Sequence, residues 1–333
     1  MLTTHDSRPT IRKIVVNKKI QIVKAVAIVA VVMIHSDTEG LFGVGVRPFI
    51  NFAVALFIFC SGYLTKLEQQ NTKKFYVKRL IKVLVPYLLW SLVYTVASED
   101  YSELYRNLLT AKASYQLYYI FVYAQFVILT PLICKLLESN YRWIGWLVSP
   151  ISIIIIRYIF LLLGLELGFP FPETIFVVWF SYYYLGLALG NNVFKYTLSH
   201  KTSIVMYAGT LVLSEIEGFV WYLYGNYDMA TTQIRITSLL TSIVACFMAY
   251  LFISNTKIAL KDNLFNKILV MIGDYSFGIY LAHILVRAVL RKIPGYGMLF
   301  FPVDSMVILI ATTVCVIIGR KIAGEKFSKF AGL

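Results

Sequence analysis

The stretch KAVAIVAVVMIH, Lys24–His35, sets ten uninterrupted apolar residues between a cation and an imidazole. A charged side chain at the centre of a bilayer costs about 2.5–3.5 kcal/mol on insertion scales, so an ionisable group in such a segment points to function. Eleven steps of about 100° return to nearly the same helix face, and at about 1.5 Å per residue the two groups stand roughly 16 Å apart. Lys24 and His35 therefore share one stripe of a membrane helix, Lys24 near its start and His35 near its end. Snorkelling to the headgroups is the structural alternative for Lys24, and an interfacial position is the alternative for His35.

The rest of the chain supports a membrane reading of this stretch. Of 333 residues, 59% are hydrophobic and 14% charged, and the mean hydropathy is +0.73. A soluble fold of this composition would lack the polar surface to cover itself. About 20 apolar residues cross a bilayer, and that ruler gives ten segments, near 20–36, 47–65, 80–97, 116–137, 143–163, 172–190, 203–223, 235–254, 268–290 and 299–319. The expected fold is an all-α integral membrane protein, a polytopic bundle of about ten transmembrane helices. Residues 1–19 read as a cytoplasmic tail, 20–322 as the membrane domain and 323–333 as a second cytoplasmic tail. The start resembles a signal peptide, but Lys24 interrupts the apolar run and no small-residue cleavage site follows, so it reads as a retained first helix.

The net charge of +14 falls in clusters between the apolar runs. Arg8, Arg12, Lys13, Lys18 and Lys19 precede the first; Lys66, Lys73, Lys74, Lys78 and Arg79 follow the second. Later alternate segments carry Lys135 and Arg142, then Lys195 and Lys201, then Lys257, Lys261 and Lys267, and finally Arg320, Lys321, Lys326 and Lys329. The intervening loops hold Asp37, Glu39, Glu99, Asp100, Glu103, Glu166 and Asp228. Cations on alternate loops put both termini in the cytoplasm, with Arg287, Arg291 and Lys292 the exception. The charge therefore reflects topology and anionic membrane lipids; no basic face interleaved with aromatics is present, which argues against a nucleic-acid partner. Cys60, Cys134, Cys246 and Cys315 lie in or beside apolar runs without metal-ligand spacing, so neither a disulfide framework nor a metal site is expected.

Three further segments carry polar groups in apolar company. NFAVALFIFCSGYLTK closes on Ser61, Gly62 and Tyr63; Gly62 lets helices approach closely, and Ser61 offers a hydroxyl to an imidazole or a thioester carbonyl. FYVKRLIKVLVPYLLWS places Arg79 and Lys82 three apart on one face, ahead of Pro86, Tyr87 and Trp90. That cluster reads either as positive-inside anchoring or as a cradle for phosphate. IGDYSFGIYLAHILVR puts Ser276, Tyr280, His283 and Arg287 on roughly one face, which should point into the bundle. Arg157, Glu173, Glu215, Glu217, Arg235 and Asp304 are further charges in or near spans without partners readable from spacing.

Taken in order, these pieces resemble the acyltransferase-3 family of bacterial integral-membrane acyltransferases. Lys24 and His35 match its basic residue, ten residues and histidine, with Lys in place of the usual Arg. Phe57, Phe59, Ser61, Gly62 and Tyr63 match its Phe-rich run ending in Ser-Gly-Tyr. Arg79, Lys82, Pro86 and Trp90 match its third span, and Ser276, Tyr280 and His283 its late histidine segment. LYYIFVYAQFVILTP (117–131) and YYYLGLALG (182–190) are similar to family segments more weakly.

The resemblance implies an O-acyltransferase of the bacterial plasma (inner) membrane. It would move an acyl group, acetyl first among them, from acyl-CoA to a sugar hydroxyl of a cell-surface or lipid-linked glycan (O-antigen, capsule or exopolysaccharide), with no metal. Lys24, Arg79 and Lys82 would hold acetyl-CoA. His35 would act as general base, with Ser61 and His283 in the reacting centre and Tyr63 and Tyr280 against the substrate. Asp37, Glu215 and Glu217 are the candidate acids to orient His35. A ten-span transporter or flippase for a lipid-linked glycan or small anion is the alternative, using the same charges along a path; no internal repeat supports it.

Overall fold

The computed structural model describes residues 8–36, 38–67, 73–99, 101–165, 167–194, 199–255 and 259–333. Asp37, one candidate to orient His35, lies outside the described residues, as do the loop charges Asp100, Glu166, Lys195 and Lys257. The described residues form helices and no strand, as expected where lipid leaves backbone groups only each other to bond with. The chain opens with α1 (Arg8–Ile34), α2 (Gly40–Ile50), α3 (Ala53–Tyr63) and α4 (Lys73–Ser98). A short α5 (Leu104–Thr110) precedes α6 (Tyr118–Glu138). Next, α7 (Ile144–Ile153) runs through a π-helical turn, Ile154–Ile159, into α8 (Phe160–Leu162). The remainder is α9 (Phe176–Gly190), α10 (His200–Leu223), α11 (Tyr227–Thr231), α12 (Ile236–Ser254), α13 (Leu264–Asp274), α14 (Ser276–Leu290) and α15 (Val303–Ala331).

Among the described residues seven helices are long and apolar enough to cross a membrane, and eight if α13 and α14 count as one span bent by 78°. The other two expected spans are helical but differ from that pattern. The helix of the first starts at Arg8, well before residue 20, and so carries Lys18 and Lys19 as well as Lys24. Lys19 is 1% exposed; its Nζ donates to the Asn255 carbonyl at 2.5 Å just past α12 and lies over the Phe252 ring, a favourable place for a cation at a helix C-terminus. The second, α9, has 15 residues, roughly 22 Å of helix against a hydrocarbon core of about 30 Å. All but two of its residues are buried in protein, so its surroundings are other helices rather than lipid.

Small residues set the centre of the bundle. A Cβ on Gly62 would overlap the Tyr183 carbonyl, one on Gly186 the Phe59 carbonyl, and one on Gly190 the Tyr63 carbonyl. Thus α3 and α9 pack main chain against main chain, the close approach that glycine permits between membrane helices. Likewise Gly273 brings α13 onto α1 at Gln21. Between α2 and α3, Asn51 donates from Nδ2 to the Thr231 and Thr232 carbonyls, both at 3.2 Å, which ties the break in this span to the end of α11.

Candidate functional site

The eleven-residue interval in α1 spans two cavities. The first, about 510 Å³, is lined by Lys24, Lys78, Arg79 and Lys82 together with Ser61 and Tyr280; no carboxylate lines it among the described residues. Apolar walls come from Val31, Val54 and Phe57, and Tyr119 and Tyr123 complete it. The Arg79 guanidinium is steadied by a bond to Thr65 Oγ1 at 2.7 Å, and Thr65 itself sits on the turn after the Ser61-Gly62-Tyr63 segment. This set suits a polyanion with an apolar arm. Its residues come from α1, α3, α4, α6 and α14, so spacing within any one helix could not assemble it.

The second cavity, about 1000 Å³, is lined by His35 at the end of α1, by Arg47 of α2, and by Arg157, Glu173, Asp228 and Gln233. Aromatic walls come from Tyr118 and Trp179, whose rings stack at 6.1 Å. Arg157 projects from the π-helical turn, a distortion that often marks functional positions, and its guanidinium reaches Asp228 at 2.5 Å. Trp179 donates from its indole to the Glu173 carbonyl at 2.8 Å. Burial pushes the Glu173 carboxyl above its ordinary range; nearby Arg157 opposes that push and Asp228 adds to it. Glu173 Oε2 and Gln233 Oε1 are buried acceptors without a partner among the described residues.

The two histidines stand where the cavities approach one another. The ring centroids of His35 and His283 are 5.3 Å apart, and Tyr280, a wall of the first cavity, is 6.4 Å from His283. His283 Nδ1 meets the Tyr280 carbonyl at 2.8 Å and that of Ile279 at 3.1 Å. Carbonyls only accept, so Nδ1 carries the proton and Nε2 keeps its lone pair. Nε2 is buried and has no partner among the described residues.

A hydrogen-bonded scaffold, hidden from sequence reasoning, holds this stretch of α14. The Tyr280 hydroxyl donates to the Gln116 carbonyl. Gln116 Nε2 donates to Tyr94 Oη at 2.8 Å, and Tyr94 donates to the Leu281 carbonyl at 2.7 Å. On the other side of His35, Ser305 Oγ donates to Ser36 Oγ at 2.7 Å, while Asp304 Oδ1 accepts from the Ser305 amide at 2.7 Å. The residue next to His35 is thereby pinned to α15.

The structure thus gathers Lys24, Ser61, Arg79, Lys82 and Tyr280 in one cavity and sets His35, which lines the other, beside His283, which lines neither. Tyr63 lines neither cavity; its ring packs on Phe59 at 5.9 Å and Tyr250 at 6.4 Å. Of the candidate orienting acids, Glu217 is filled by Tyr158, Thr237 and Trp221. Glu215 has a buried Oε2 without a partner among the described residues and lines neither cavity. Arg235, fully buried, is held by the Ala230 carbonyl and by Ser214, and reads as a staple between α10 and α12. Arg47 and Gln233 escaped sequence reasoning. Arg47 opens the second apolar run on the side where cations are scarce, which was its one available signal. Among the described residues no three His, Cys, Asp or Glu side chains cluster as a metal site would require.

Residues 17–320 match the acyltransferase-3 family model, described as an acyltransferase domain. No curated protein and no solved structure matches the chain.

Proposed function

The chain belongs to the acyltransferase-3 family of membrane acyltransferases, and from that premise we propose that it moves an acyl group, acetyl first among them, from acyl-CoA to a sugar hydroxyl of a cell-surface polysaccharide. In this reading the bundle crosses the bacterial inner membrane ten times, α1 and the enclosed α9 included, with both termini cytoplasmic. The Lys24 cavity then faces the cytoplasm and the His35 cavity the outer side. One observation carries the proposal: paired imidazoles stand between a cation-lined cavity and a larger cavity rich in polar and aromatic groups.

Lys24, Arg79 and Lys82, with Lys78, neutralise the donor's phosphates, and Tyr119, Tyr123 and Tyr280 flank the way toward the histidines. Roughly 16 Å of helix separates Lys24 from His35, a distance that an extended pantetheine arm covers. Acyl-CoA supplies a thioester carbonyl already activated for transfer. His35 takes the proton of the acceptor hydroxyl as that oxygen bonds to the acyl carbon. The carbon–sulfur bond breaks, and His35 returns the proton to the departing sulfur. His283 is a positioning residue: its fixed tautomer turns an accepting Nε2 toward its surroundings, where it holds the His35 ring as charge develops. Ser61 offers its hydroxyl to the carbonyl oxygen from the donor side.

His35→Ala should lower transfer by about 10²–10⁴-fold, the usual contribution of a general base, with protein level and membrane insertion unchanged. Surface glycans read by mass spectrometry, with and without the variant, report the outcome. Full acylation by the variant would sink the role of His35.

A further inference from the structure

Arg47 differs from the other arginines of the His35 cavity region. Arg157 is paired with Asp228 at 2.5 Å, and the Arg235 guanidinium is filled by Ala230, Ser214 and Ser238. The Arg47 side chain makes no hydrogen bond or ion pair with any described residue, and its Nε is shut off from solvent. It sits inside the apolar stretch Gly40–Tyr63, where an uncompensated cation is costly. Its position is not incidental, because Asn51, one turn later, donates its backbone N–H to the Arg47 carbonyl at 2.9 Å and clamps this turn onto Thr231 and Thr232. The cavity that receives it also holds two buried acceptors without a partner among the described residues, Glu173 Oε2 and Gln233 Oε1, and the aromatic faces of Tyr118 and Trp179.

These groups have complementary demands. Buried acceptors call for hydroxyl donors, aromatic faces for the C–H face of a pyranose, and a guanidinium unpaired among the described residues for an oxyanion in bidentate contact. We propose that the acceptor is an acidic sugar unit, whose carboxylate or phosphate pairs with Arg47 while its hydroxyls donate to Glu173 and Gln233 and one hydroxyl turns to His35. This rests on the acyl-transfer reading above and adds a charge requirement to it. The Arg157–Asp228 pair does not oppose an incoming anion, since it is neutral as a unit. Glu173 stands with its carboxyl pushed toward the uncharged form, which lessens repulsion of the same anion.

The test uses the full chain in nanodiscs of a zwitterionic phospholipid and isothermal titration with three probes: methyl β-glucuronide, methyl β-glucoside and glucose 1-phosphate. The glucuronide or the phosphate should bind about tenfold or more tightly than the neutral glucoside. Whichever anion binds more tightly identifies the source, an acidic residue of the glycan or the phosphate of a lipid-linked carrier. Arg47→Gln should erase the preference, and Arg47→Lys should keep part of it, which a misfolded protein would not do. Equal binding of all three probes, or a preference unchanged in Arg47→Gln, overturns the proposal. Acetyl-CoA binding to the same wild-type sample separates the two readings. Its absence beside an intact anion preference would sink acyl transfer and leave the anion site standing; its presence beside equal binding of the probes would sink the anion site alone.

Discussion

The Lys24 and His35 cavities lie at the two ends of one apolar run of helix, yet they solve the problem of charge in a membrane differently. Around Lys24 the cations are clustered without a lining carboxylate among the described residues, and Lys78 and Lys82 are exposed, so water and long side chains share the cost of their charge. Around His35 the cations and carboxylates stand side by side: buried Arg157 is paired with Asp228, which is exposed, and burial raises the Glu173 carboxyl toward its uncharged form. The first arrangement tolerates a mobile, highly charged ligand and reads little of its shape. The second presents fixed acceptors and flat aromatic faces, which discriminate by geometry. Recognition of the donor should therefore rest on charge, and recognition of the acceptor on position.

Several substitutions sharpen that contrast, and the largest effect belongs to the donor side. Removing two of the proposed phosphate partners together, Arg79→Ala with Lys82→Ala, should raise the KM for acyl-CoA by about 10–100-fold while the KM for the acceptor stays within about twofold. Steady-state kinetics with each substrate varied in turn would read this. Equal effects on both constants would break the division between the cavities. A smaller effect is expected at Lys24. Lys24→Ala should lower kcat/KM for the donor about tenfold, and Lys24→Arg should restore it, because the position needs charge more than fork geometry. Failure of Arg to rescue would mean that the shape of the ammonium matters.

The smallest effect concerns Glu173 and stability rather than rate. Its folded-state carboxyl titrates above the ordinary value of 4.5, so the unfolded chain gives up that proton first. Stability from this group is present below pH 4.5 and is lost as pH rises through its raised value. Glu173→Gln removes the titration, and thermal unfolding in detergent should then vary less with pH across that window. An identical pH profile for the two proteins would show that the Glu173 carboxyl titrates alike in the folded and unfolded chains.

How far the sequence reached depends on whether a feature is local. The stripe of Lys24 and His35 follows from helix geometry alone, and each of the apolar runs it predicted is helical. The break at Tyr275 was not legible, because Ser276 through Arg287 reads as one face whether or not the preceding turn bends by 78°. Tyr63 shows the opposite error of scale. It adjoins Ser61 in sequence, but two residues along a helix rotate a side chain by about 200°, and its ring turns to Tyr250 instead of the Lys24 cavity. Arg47 and Gln116 were invisible for a third reason. An arginine ahead of an apolar run is what an interfacial anchor looks like, and the Gln116 main-chain carbonyl that receives Tyr280 has no signature in sequence at all.

The glycine seam between α3 and α9 bears on how a bulky glycan would enter. With Gly62, Gly186 and Gly190 leaving no gap between main chains, neither helix can slide or roll against the other without collision, so this pair behaves as a fixed keel. The peripheral α10 differs: only 17% of its apolar stretch is buried, and Arg235 and Glu217 fasten it through side-chain bonds to Ser214 and Thr237. The turn that leaves it, at Tyr224, Gly225 and Asn226, forms part of the wall of the His35 cavity. One wall of that chamber thus stands at the end of a helix with most of its apolar stretch outside the protein core, and another, through Trp179 of α9, stands on the glycine seam.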